Sequence, residues 1–580
     1  MTRAKVAAQH QPAELIAAVE VDEQGLASKV LDYSTWSRKE YYWMMAGILG
    51  HAFMYSFEIH IVGGTQDFIQ SSLEASSLLS VTPTVVQILQ AALVPFFTKI
   101  SDVIGRAEAL TIALAFYLLG YIVSGTASGF AQFASGSIFN GIGTTGTVVL
   151  TQVLVAGKFF LGTWEGSMIN IFVAQALLNP LTRKGFSWHN IYIIASVAVV
   201  MGAIFVLTPL WYLQRKGERR LGKRPRRSIQ WFLNEFDAIG SLLLAGGLSL
   251  TLFPLMLAGT YDDGWQNPTI LGCIVAGCVT LLLLFVWEAK FTSQPILPTR
   301  IWRNPTVFGG MFIQFVFTMM IAMNWTYFAT YLYVSRPVTL AAAMLLMRGY
   351  QITYMVLALT TGVLMKKFNT CRPFVWGGIL IMTLGCGLML PARHPSSSDA
   401  FVVASQAVAG GGAGICNIAA SVAITGAVHR RDMATVIGAS QIINSIASAL
   451  GGAIAGAVWT QLLPNRLRRH VTGELDFDKA INEAFTIRDL PEPTYSQVVR
   501  AYSDSQEVLT IITVCLVVLG LLTAFPMKHV DLLQSQNEQD TLYGGSRNDD
   551  TEAQVDSKTK EPAETPSVVV GDKEEIVEAK

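Results

Sequence analysis

The sequence predicts an all-α polytopic membrane protein with about fourteen transmembrane helices. Of its 580 residues, 52% are hydrophobic and only 14% are charged, and the mean hydropathy is +0.43. Soluble domains carry about 25% charged residues, so a chain this long has too little charge to cover a surface exposed to water. The composition therefore excludes a soluble, disordered or nucleic-acid-binding protein.

Apolar runs of about twenty residues account for the predicted spans, because a helix of that length crosses the hydrocarbon core of a bilayer. The fifth run is the weakest, since Asn170, Gln175, Asn179 and Pro180 dilute it. The fourteen runs lie at 42–63, 79–99, 109–128, 134–156, 166–181, 191–213, 238–259, 269–289, 308–333, 340–365, 373–392, 401–428, 434–460 and 508–526.

Lysine and arginine are divided unevenly between alternate loops, and this sets the predicted orientation. The short loops of the poorer set hold only Arg183, Lys184, Arg336 and Arg393. The richer set is expected in the cytoplasm together with both chain termini, and the agreement between loops supports the count of fourteen. The richer set holds Lys99 and Arg106, Lys158, the run 215–227, Lys290, Arg300 and Arg303, Lys366, Lys367 and Arg372, and Arg430 and Arg431.

Three segments are expected outside the membrane. Residues 1–41 are polar and lack the apolar core of a cleavable signal, so they are predicted to be a cytoplasmic tail. Residues 531–580 are rich in acidic and hydroxyl side chains and are predicted to be a disordered cytoplasmic tail. The connection 461–507 is far longer than any other and is predicted to be a functional extracellular loop. An amphipathic segment lying on the membrane surface is the alternative for this loop.

No motif indicates a metal, a cofactor or an enzyme. The six cysteines show no CxxC or Cys/His spacing and no plausible disulfide pair, so we expect buried thiols and no metal site. The string 141–146 spells GxGxxG, but it lies inside the fourth apolar run, where small residues allow helices to approach closely. We therefore expect no cofactor, no nucleic-acid partner and no enzymatic activity.

The sharpest short signal is the stretch 98–106, in the tight turn between the second and third spans. It contains Asp102, Gly105 and Arg106 in a D-x-x-G-R pattern and resembles the signature loop of the major facilitator superfamily, with Thr98 where that loop usually has glycine. The resemblance implies that these three residues act in gating. The alternative is a salt bridge between two helix ends.

A set of stretches resembles one branch of that superfamily, the fungal siderophore–iron transporters. One departure concerns the loop 156–165, where members usually carry an aspartate and one or two arginines that this chain lacks. The altered charges leave open whether coupling or substrate differs from the family norm. The resemblance covers about 40–530 and rests on 236–241, 285–290, 295–298, Gln406, 429–434, 445–460 and Ala501–Tyr502.

The resemblance implies the major facilitator fold and the organisation of the chain. A basic cytoplasmic loop, 214–237, and two extra helices with their loop, 238–307, would join two six-helix bundles. The bundles would comprise 42–213 and 308–530, the second including the extracellular loop 461–507. Such proteins are fourteen-span transporters of the plasma membrane or endosomal vesicles, with both termini cytoplasmic, and we expect a monomer.

The function implied by the resemblance is import of ferric siderophore chelates by proton symport, with alternating access to a cavity between the bundles. The expected partners are a ferric siderophore or similar small molecule, protons and the lipid bilayer. Three alternatives stay open: a carrier of haem or a thiol compound, a proton-driven exporter of a toxic metabolite or drug, and a membrane receptor that senses iron chelates.

Glu58 and His60, near the outer end of the first span, are the predicted proton-coupling residues. Charged or titratable side chains inside a bilayer are costly and are usually functional. Glu58 is the candidate proton acceptor, and His60 is a candidate relay because imidazole titrates near neutral pH. The alternative is that both side chains reach the external water.

Polar residues on later spans are predicted to bind substrate. Arg348, Gln351 and Tyr354 lie roughly on one helical face of the tenth span, where they would contact the oxygen-rich shell of a ferric chelate or an anionic group. The alternative for Arg348 is that it reaches back to the interface. The other candidates are Gln314 and Asn324 on the ninth span, Gln441 and Asn444 on the thirteenth, and Tyr495 and Tyr502 in the long loop. The alternative for the four amides is a hydrogen bond between helices.

Overall fold

The structure is a computed structural model built almost entirely of long helices. Several predicted features lie outside the described residues: the tails 1–35 and 528–580, most of the fifth span, the altered loop at 156–165 and much of the basic loop. The described residues are 36–155, 169–170, 172–174, 176–177, 187–221, 237–260, 264–292, 302–428 and 433–527.

The helices follow the order of the predicted spans, and no strand occurs in the part of the chain that the structure describes. The helices of the first part are α1 Arg38–Gly63, α2 Gln66–Ser72, α3 Val81–Ile104, α4 Arg106–Gly125, α5 Phe130–Val155, α6 His189–Leu221, α7 Ala238–Leu257 and α8 Pro268–Lys290. Those of the second part are α9 Pro305–Trp325, α10 Phe328–Ser335, α11 Leu340–Leu346, α12 Arg348–Phe368, α13 Arg372–Ala392, α14 Asp399–Gly426, α15 Met433–His470, α16 Phe477–Asn482 and α17 Thr494–Ala524.

Twelve helices of the described residues are long and apolar enough to cross a membrane. The 26-residue helix α5 lies where the fourth span is predicted and is not among the twelve. Most of the fifth predicted span falls outside the described residues. The polytopic helical fold is therefore confirmed, whereas the count of fourteen stays a prediction.

Polar caps explain where several helices begin. The Ser37 hydroxyl accepts from the Glu40 amide and the Glu40 carboxylate accepts from the Ser37 amide, which forms a capping box at the start of α1. Asn267 and Asn304 cap α8 and α9, and each is followed by a proline. The caps satisfy amides that would otherwise lack partners at the membrane surface.

Two helical groups surround separate apolar cores. The core of the N-terminal group is built mainly from α1, α3, α4, α5 and α6. The core of the C-terminal group is built from α9, α12, α13, α14 and α17. The outer end denotes the end of the molecule where α1 stops at Gly63, and the inner end denotes the α3–α4 turn at Gly105.

The two extra helices pack as a pair, with α7 between its partner and the seam of the molecule. Helix α7 contacts α8 on one side and both α3 and α15 on the other. Helix α8 leaves large apolar side chains exposed, including Leu282 and Phe285. This exposure suits contact with lipid, because no water-soluble surface carries such a continuous apolar face.

The region predicted as the loop 461–507 differs in the structure. Helix α15 continues to His470 and α17 already begins at Thr494, so the connection is shorter than predicted and contains the short helix α16. The helices extend because Leu463 and Leu467, one turn apart, are buried against Val498 and its neighbours in an apolar cluster at the outer end. We call this cluster, with its helix ends and connection, the outer cap.

Two predicted spans are broken near the outer end. The ninth divides into α9 and α10 at Thr326, whose hydroxyl donates to the Ala322 carbonyl at 2.5 Å. A side-chain hydrogen bond to a carbonyl of the preceding turn competes with the backbone hydrogen bonds and bends the helix. The tenth divides into α11 and α12 at Met347. Hydrophobic periodicity did not reveal either break, because the apolar runs are continuous in the sequence.

Candidate transport site

The two helical groups meet at the outer end through Tyr327. Its hydroxyl donates to the Ser77 carbonyl at 3.0 Å and lies 3.2 Å from the Ser80 hydroxyl, both on the N-terminal side. Its ring stacks on Trp459 with the centroids 4.3 Å apart. Tyr327 is completely buried, so opening the molecule at this end requires these contacts to break.

Glycines on α15 allow this close approach. A Cβ at Gly456 would overlap the Ser80 hydroxyl, and one at Gly452 would lie 2.7 Å from the Thr84 hydroxyl. Helices α3 and α15 therefore lie in close contact along their outer halves. Small residues have this role in membrane helix packing because they let backbones approach.

A hydrogen-bonded chain crosses between the groups through His60. His60 Nδ1 lies 2.6 Å from the Ser56 carbonyl, and its Nε2 lies 3.0 Å from Gln351 Nε2. Arg348 donates to Gln351 Oε1 at 2.9 Å. A consistent set of donors requires a neutral imidazole that donates through Nδ1 and accepts from Gln351 through Nε2. The structure thus brings together three of the predicted site residues.

Arg348 carries a partly buried charge. Its Nε atom is buried and has no hydrogen-bond partner, and no acidic group in the described residues is paired with its guanidinium. A buried cation without a counter-charge is costly, which makes the position attractive to an anionic or oxygen-rich ligand. Tyr354, on the same helix, accepts from Asn417 at 2.8 Å and stacks on Phe317.

Glu58 lies inside the N-terminal group and is completely buried. The hydroxyls of Tyr117 and Tyr121, one turn apart on α4, donate to its two carboxylate oxygens. Tyr55 lies beside them, with its ring 6.1 Å from that of Tyr117. The structure therefore separates Glu58 from the His60 chain, and the tyrosine cage was not predicted from the sequence.

Sequence analysis also missed Asp67. This residue lies on α2, is 8% exposed and lines a cavity of about 150 Å³ between the two groups. Burial raises the pKa of its carboxyl to about 7, and the neighbouring Thr330 hydroxyl of α10 opposes that rise. The available signal was a carboxylate directly after the first span, next to the apolar pair Phe68 and Ile69.

The turn at the inner end is built around Gly105. Its φ is +118° and a Cβ there would overlap the Glu108 carboxylate, so only glycine fits without strain. Gln214 of α6 accepts from the Ala107 amide at 2.9 Å and donates to Glu108 at 2.5 Å. Arg106 begins α4, whereas the side chain of Asp102 lies outside the described residues, so the gating role stays a prediction.

Gln441 also joins the two groups, near the inner end. Its amide donates to Gln152 of α5 at 2.9 Å, a contact that the sequence did not predict. Asn444, one turn along α15, accepts from Thr318 of α9 at 3.3 Å. The groups are therefore in contact near both ends of the molecule.

The remaining predicted site residues have partners within the C-terminal group. Gln314 donates to Ser421 at 2.7 Å, and Asn324 donates to Thr513 at 2.5 Å. Tyr495 donates to the Val334 carbonyl at 2.9 Å and Tyr502 to the Ala480 carbonyl at 2.8 Å. The two tyrosines hold the outer cap together, and the structure does not bring them to the His60 chain.

In the residues that the structure describes, no group of three or more His, Cys, Asp or Glu side chains lies in a position to hold a metal ion.

Family models match most of the region built from these helices. The model of the Major Facilitator Superfamily matches residues 306–463, and that described as the fungal trichothecene efflux pump matches 60–363, just over half of the chain. The chain belongs to the major facilitator superfamily. Within this superfamily it belongs to the fungal family of the efflux-pump model, and its curated relatives confirm the resemblance to siderophore transporters that the motifs indicated.

Two relatives show how far this similarity extends. The siderophore iron transporter mirC of Emericella nidulans is 26% identical, over 89% of this chain and 88% of its own length. The siderophore iron transporter ARN1 of Saccharomyces cerevisiae is 26% identical, over 76% of this chain and 75% of its own. This major facilitator chain is thus a multi-pass membrane transporter.

Solved structures support the fold of this superfamily member. The peptide transporter POT in complex with sulfate has a TM-score of 0.52 at 14% identity and matches 87% of this chain and 99% of its own. A bacterial homolog of the human lysosomal transporter Spinster has a TM-score of 0.51 at 14% identity and matches 85% and 98%. At these identities the likeness concerns the fold alone.

Proposed function

We propose that this transporter imports ferric siderophore chelates by proton symport, with a central cavity that opens alternately to the two sides of the membrane. The observation that carries the proposal is the similarity to mirC over almost nine tenths of both chains. The protein would act as a monomer in the plasma membrane or endosomal vesicles, with both termini cytoplasmic.

Relative movement of the two halves of the protein would open the cavity to one side of the membrane and then to the other. The halves would be the bundles 42–213 and 308–530, with the basic loop and extra helices between them. Opening outward would break the Tyr327 contacts to Ser77 and Ser80, and opening inward would separate Gln152 from Gln441. Rocking of rigid bundles around a fixed site is the usual way in which such folds alternate access.

Protons would enter through Glu58 and His60. Glu58 is completely buried and the hydroxyls of Tyr117 and Tyr121 donate to both of its oxygens, so uptake of a proton would reverse one of these bonds, with the carboxyl then donating to a tyrosine oxygen. His60 would relay protons between the external face and the interior. Its hydrogen bond to Gln351 requires a neutral ring, so this bond would break each time His60 takes up a proton.

The chelate would be recognised by its ligand surface, because iron would arrive already wrapped by its chelator. Arg348, Gln351 and Tyr354 lie at the seam and offer a cation, an amide and an aromatic hydroxyl. These groups suit the oxygen-rich surface of a ferric hydroxamate or carboxylate complex.

The test is uptake of radioactive iron chelates by iron-starved yeast that lacks its own siderophore transporters. Cells producing the chain should accumulate at least one chelate against its gradient, and a protonophore should abolish the accumulation. Cells producing a variant with Asp102→Asn, which should reach the membrane but turn over slowly, provide a comparison. Accumulation no greater than in empty cells for a full chelate panel would overturn the proposal.

Export is the second candidate, because the family model over 60–363 is described as an efflux pump. Sealed vesicles of known orientation distinguish the two directions. Under an inward proton gradient, symport loads right-side-out vesicles with the ferric chelate. An antiporter would instead expel the compound from those vesicles while protons enter.

A further inference from the structure

Asp67 is a titratable group that takes no part in the proton pathway proposed above, which runs through Glu58 and His60. It lies on α2, outside the spans, and lines the cavity between the two groups at the outer end. Gly63, Leu79 and Pro83 line the N-terminal side of this cavity, whereas Trp325, Ala329, Met344 and Met347 line the other. The cavity therefore exists only while the outer ends of the two halves are together.

We propose that Asp67 is a proton-binding site that controls closure of the outer end, so that closure depends on the pH outside the cell. The proposal rests on the alternating access proposed above. Closing buries the carboxylate at the cavity between the halves, against the Thr330 hydroxyl of the other half. Opening returns it to water.

The sign of the pH dependence follows from this transfer. In the closed structure burial raises the pKa of Asp67 to about 7, and exposure to water returns it toward 3.8. Closing therefore takes up a proton between about pH 4 and about pH 7, and across this window closure weakens about tenfold for each unit that the pH rises. Closure is strongest below the window and weakest above it.

The proton on Asp67 is not carried across the membrane. When the inner end opens, Asp67 stays buried at the closed outer end, so its proton returns to the outside on reopening. Asp67 thus sets the pH dependence of the gate, whereas Glu58 would set the number of protons transported.

Other ionisable groups around α2 are accounted for separately. His60 of α1 titrates in the same interface with the opposite sign, because its protonation removes the acceptor that Gln351 uses. Glu74 is exposed. Four of the remaining groups near α2 and the cavity have partners. Tyr327 is bonded to Ser77 and Ser80, Arg336 is paired with Asp399, Arg348 is bonded to Gln351, and Arg488 is bonded to the Tyr333 and Arg336 carbonyls. Glu483 and Asp489 lie at the two ends of the short 3-10 helix Ala484–Asp489, which follows α16.

Labelling of a cysteine reporter measures closure without transport. Ala329→Cys places a thiol in the cavity, and Ser72→Cys on the exposed end of α2 corrects for the pH dependence of thiol reactivity. In the otherwise unchanged full-length protein, a membrane-impermeant maleimide added outside should label Cys at position 329 about tenfold or more slowly at about pH 5 than at about pH 8, relative to the reference.

Variants identify the titrating group. Asp67→Asn should make labelling slow at every pH, whereas Glu74→Gln, a matched loss of an exposed carboxylate, should leave the pH dependence intact. His60→Gln keeps a polar partner for Gln351 without titrating, so the pH dependence should persist. Thr330→Val removes the hydroxyl that opposes the rise in the pKa of Asp67. The midpoint of the pH dependence of labelling should therefore move to higher pH.

The proposal is overturned if Asp67→Asn retains the parent pH dependence, or if His60→Gln alone abolishes it. Met344→Cys is a second reporter in the same cavity should Ala329→Cys not reach the membrane. Because labelling requires no substrate, failure to transport any chelate would leave this result readable. The two proposals can therefore fail independently.

Discussion

At the scale of single residues, three buried polar groups with few hydrogen-bond partners are the candidates for binding and releasing protons. Glu58 has two tyrosine hydroxyls, His60 has an amide and a carbonyl, and Asp67 has one threonine hydroxyl. Each lies toward the outer end of the N-terminal half, close to where α1 ends. Uncompensated groups are costly in such surroundings, which is the physical reason for expecting them to gain and lose protons.

Glu58→Gln tests the proton acceptor. The amide matches the carboxylate in size and still accepts from one tyrosine, but it cannot take up a proton. In an Asp67→Asn background, which removes the pH dependence of the gate, we expect chelate uptake that varies little with pH and a ratio of uptake at acidic to neutral pH that falls close to one. The measurement is initial uptake across a pH series, with Glu74→Gln as the control. An unchanged pH profile would place the acceptor elsewhere.

Part of this site was predictable from the sequence. Glu58, His60, Arg348 and Gln351 stand out because they are polar within apolar runs, and the structure joins three of them in one chain. Their pairing across nearly 300 positions of sequence was not predictable, because it depends on how two helical groups dock. The substrate role of Tyr502 stays a prediction, and in the structure its hydroxyl donates to the Ala480 carbonyl within the outer cap.

At the scale of helices, close packing at the outer end depends on glycine. Helix α15 presents Gly452 and Gly456 to α3, where side chains would meet Thr84 and Ser80. In the middle of a soluble helix such glycines are destabilising by about 1 kcal/mol relative to alanine. Here they permit the contact between halves that must form and break.

Gly456→Val tests this helix contact. The added side chain would meet Ser80 and hold α3 and α15 apart, so we expect a fall in transport of about tenfold or more with the outer end held open. Faster maleimide labelling of the Ala329→Cys reporter checks the second expectation. Gly438→Val is the matched control, because Gly438 lies on the same helix and a Cβ there meets nothing within 4 Å. Equal effects of the two variants would contradict a specific role for Gly456.

At the scale of the whole molecule, contacts at both ends link the two halves. Tyr327 meets Ser77 and Ser80 at the outer end, and Gln441 meets Gln152 near the inner end. Alternating access requires that each contact opens in turn. Helix α7 touches α3 and α15 from the side, so it is placed to follow their movement without entering the cavity.

Cross-linking tests the alternation. Paired cysteines at Ser77 and Tyr327, or at Gln152 and Gln441, should each be joined by a short bifunctional methanethiosulfonate, which spans the gap that the tyrosine or glutamine side chains now fill, and the link should stop transport. Reduction should restore it, because the bond holds the halves and leaves the site intact. Initial uptake before and after reduction is the measurement, with each single cysteine as its control. Full transport through either cross-linked form would show that the joined ends need not separate.

The sequence by itself determined that the chain is a helical membrane transporter, where most helices lie, and which turn joins α3 to α4. These features depend on composition, on the length of apolar runs and on local residues such as Gly105, all of which act over short stretches of chain. Tertiary structure alone decided the course of α15 and α17 in the outer cap, the tyrosine cage of Glu58 and the burial of Asp67. Those features depend on contacts between segments that are distant in the sequence. Such contacts stabilise the structure only once the helices have packed together.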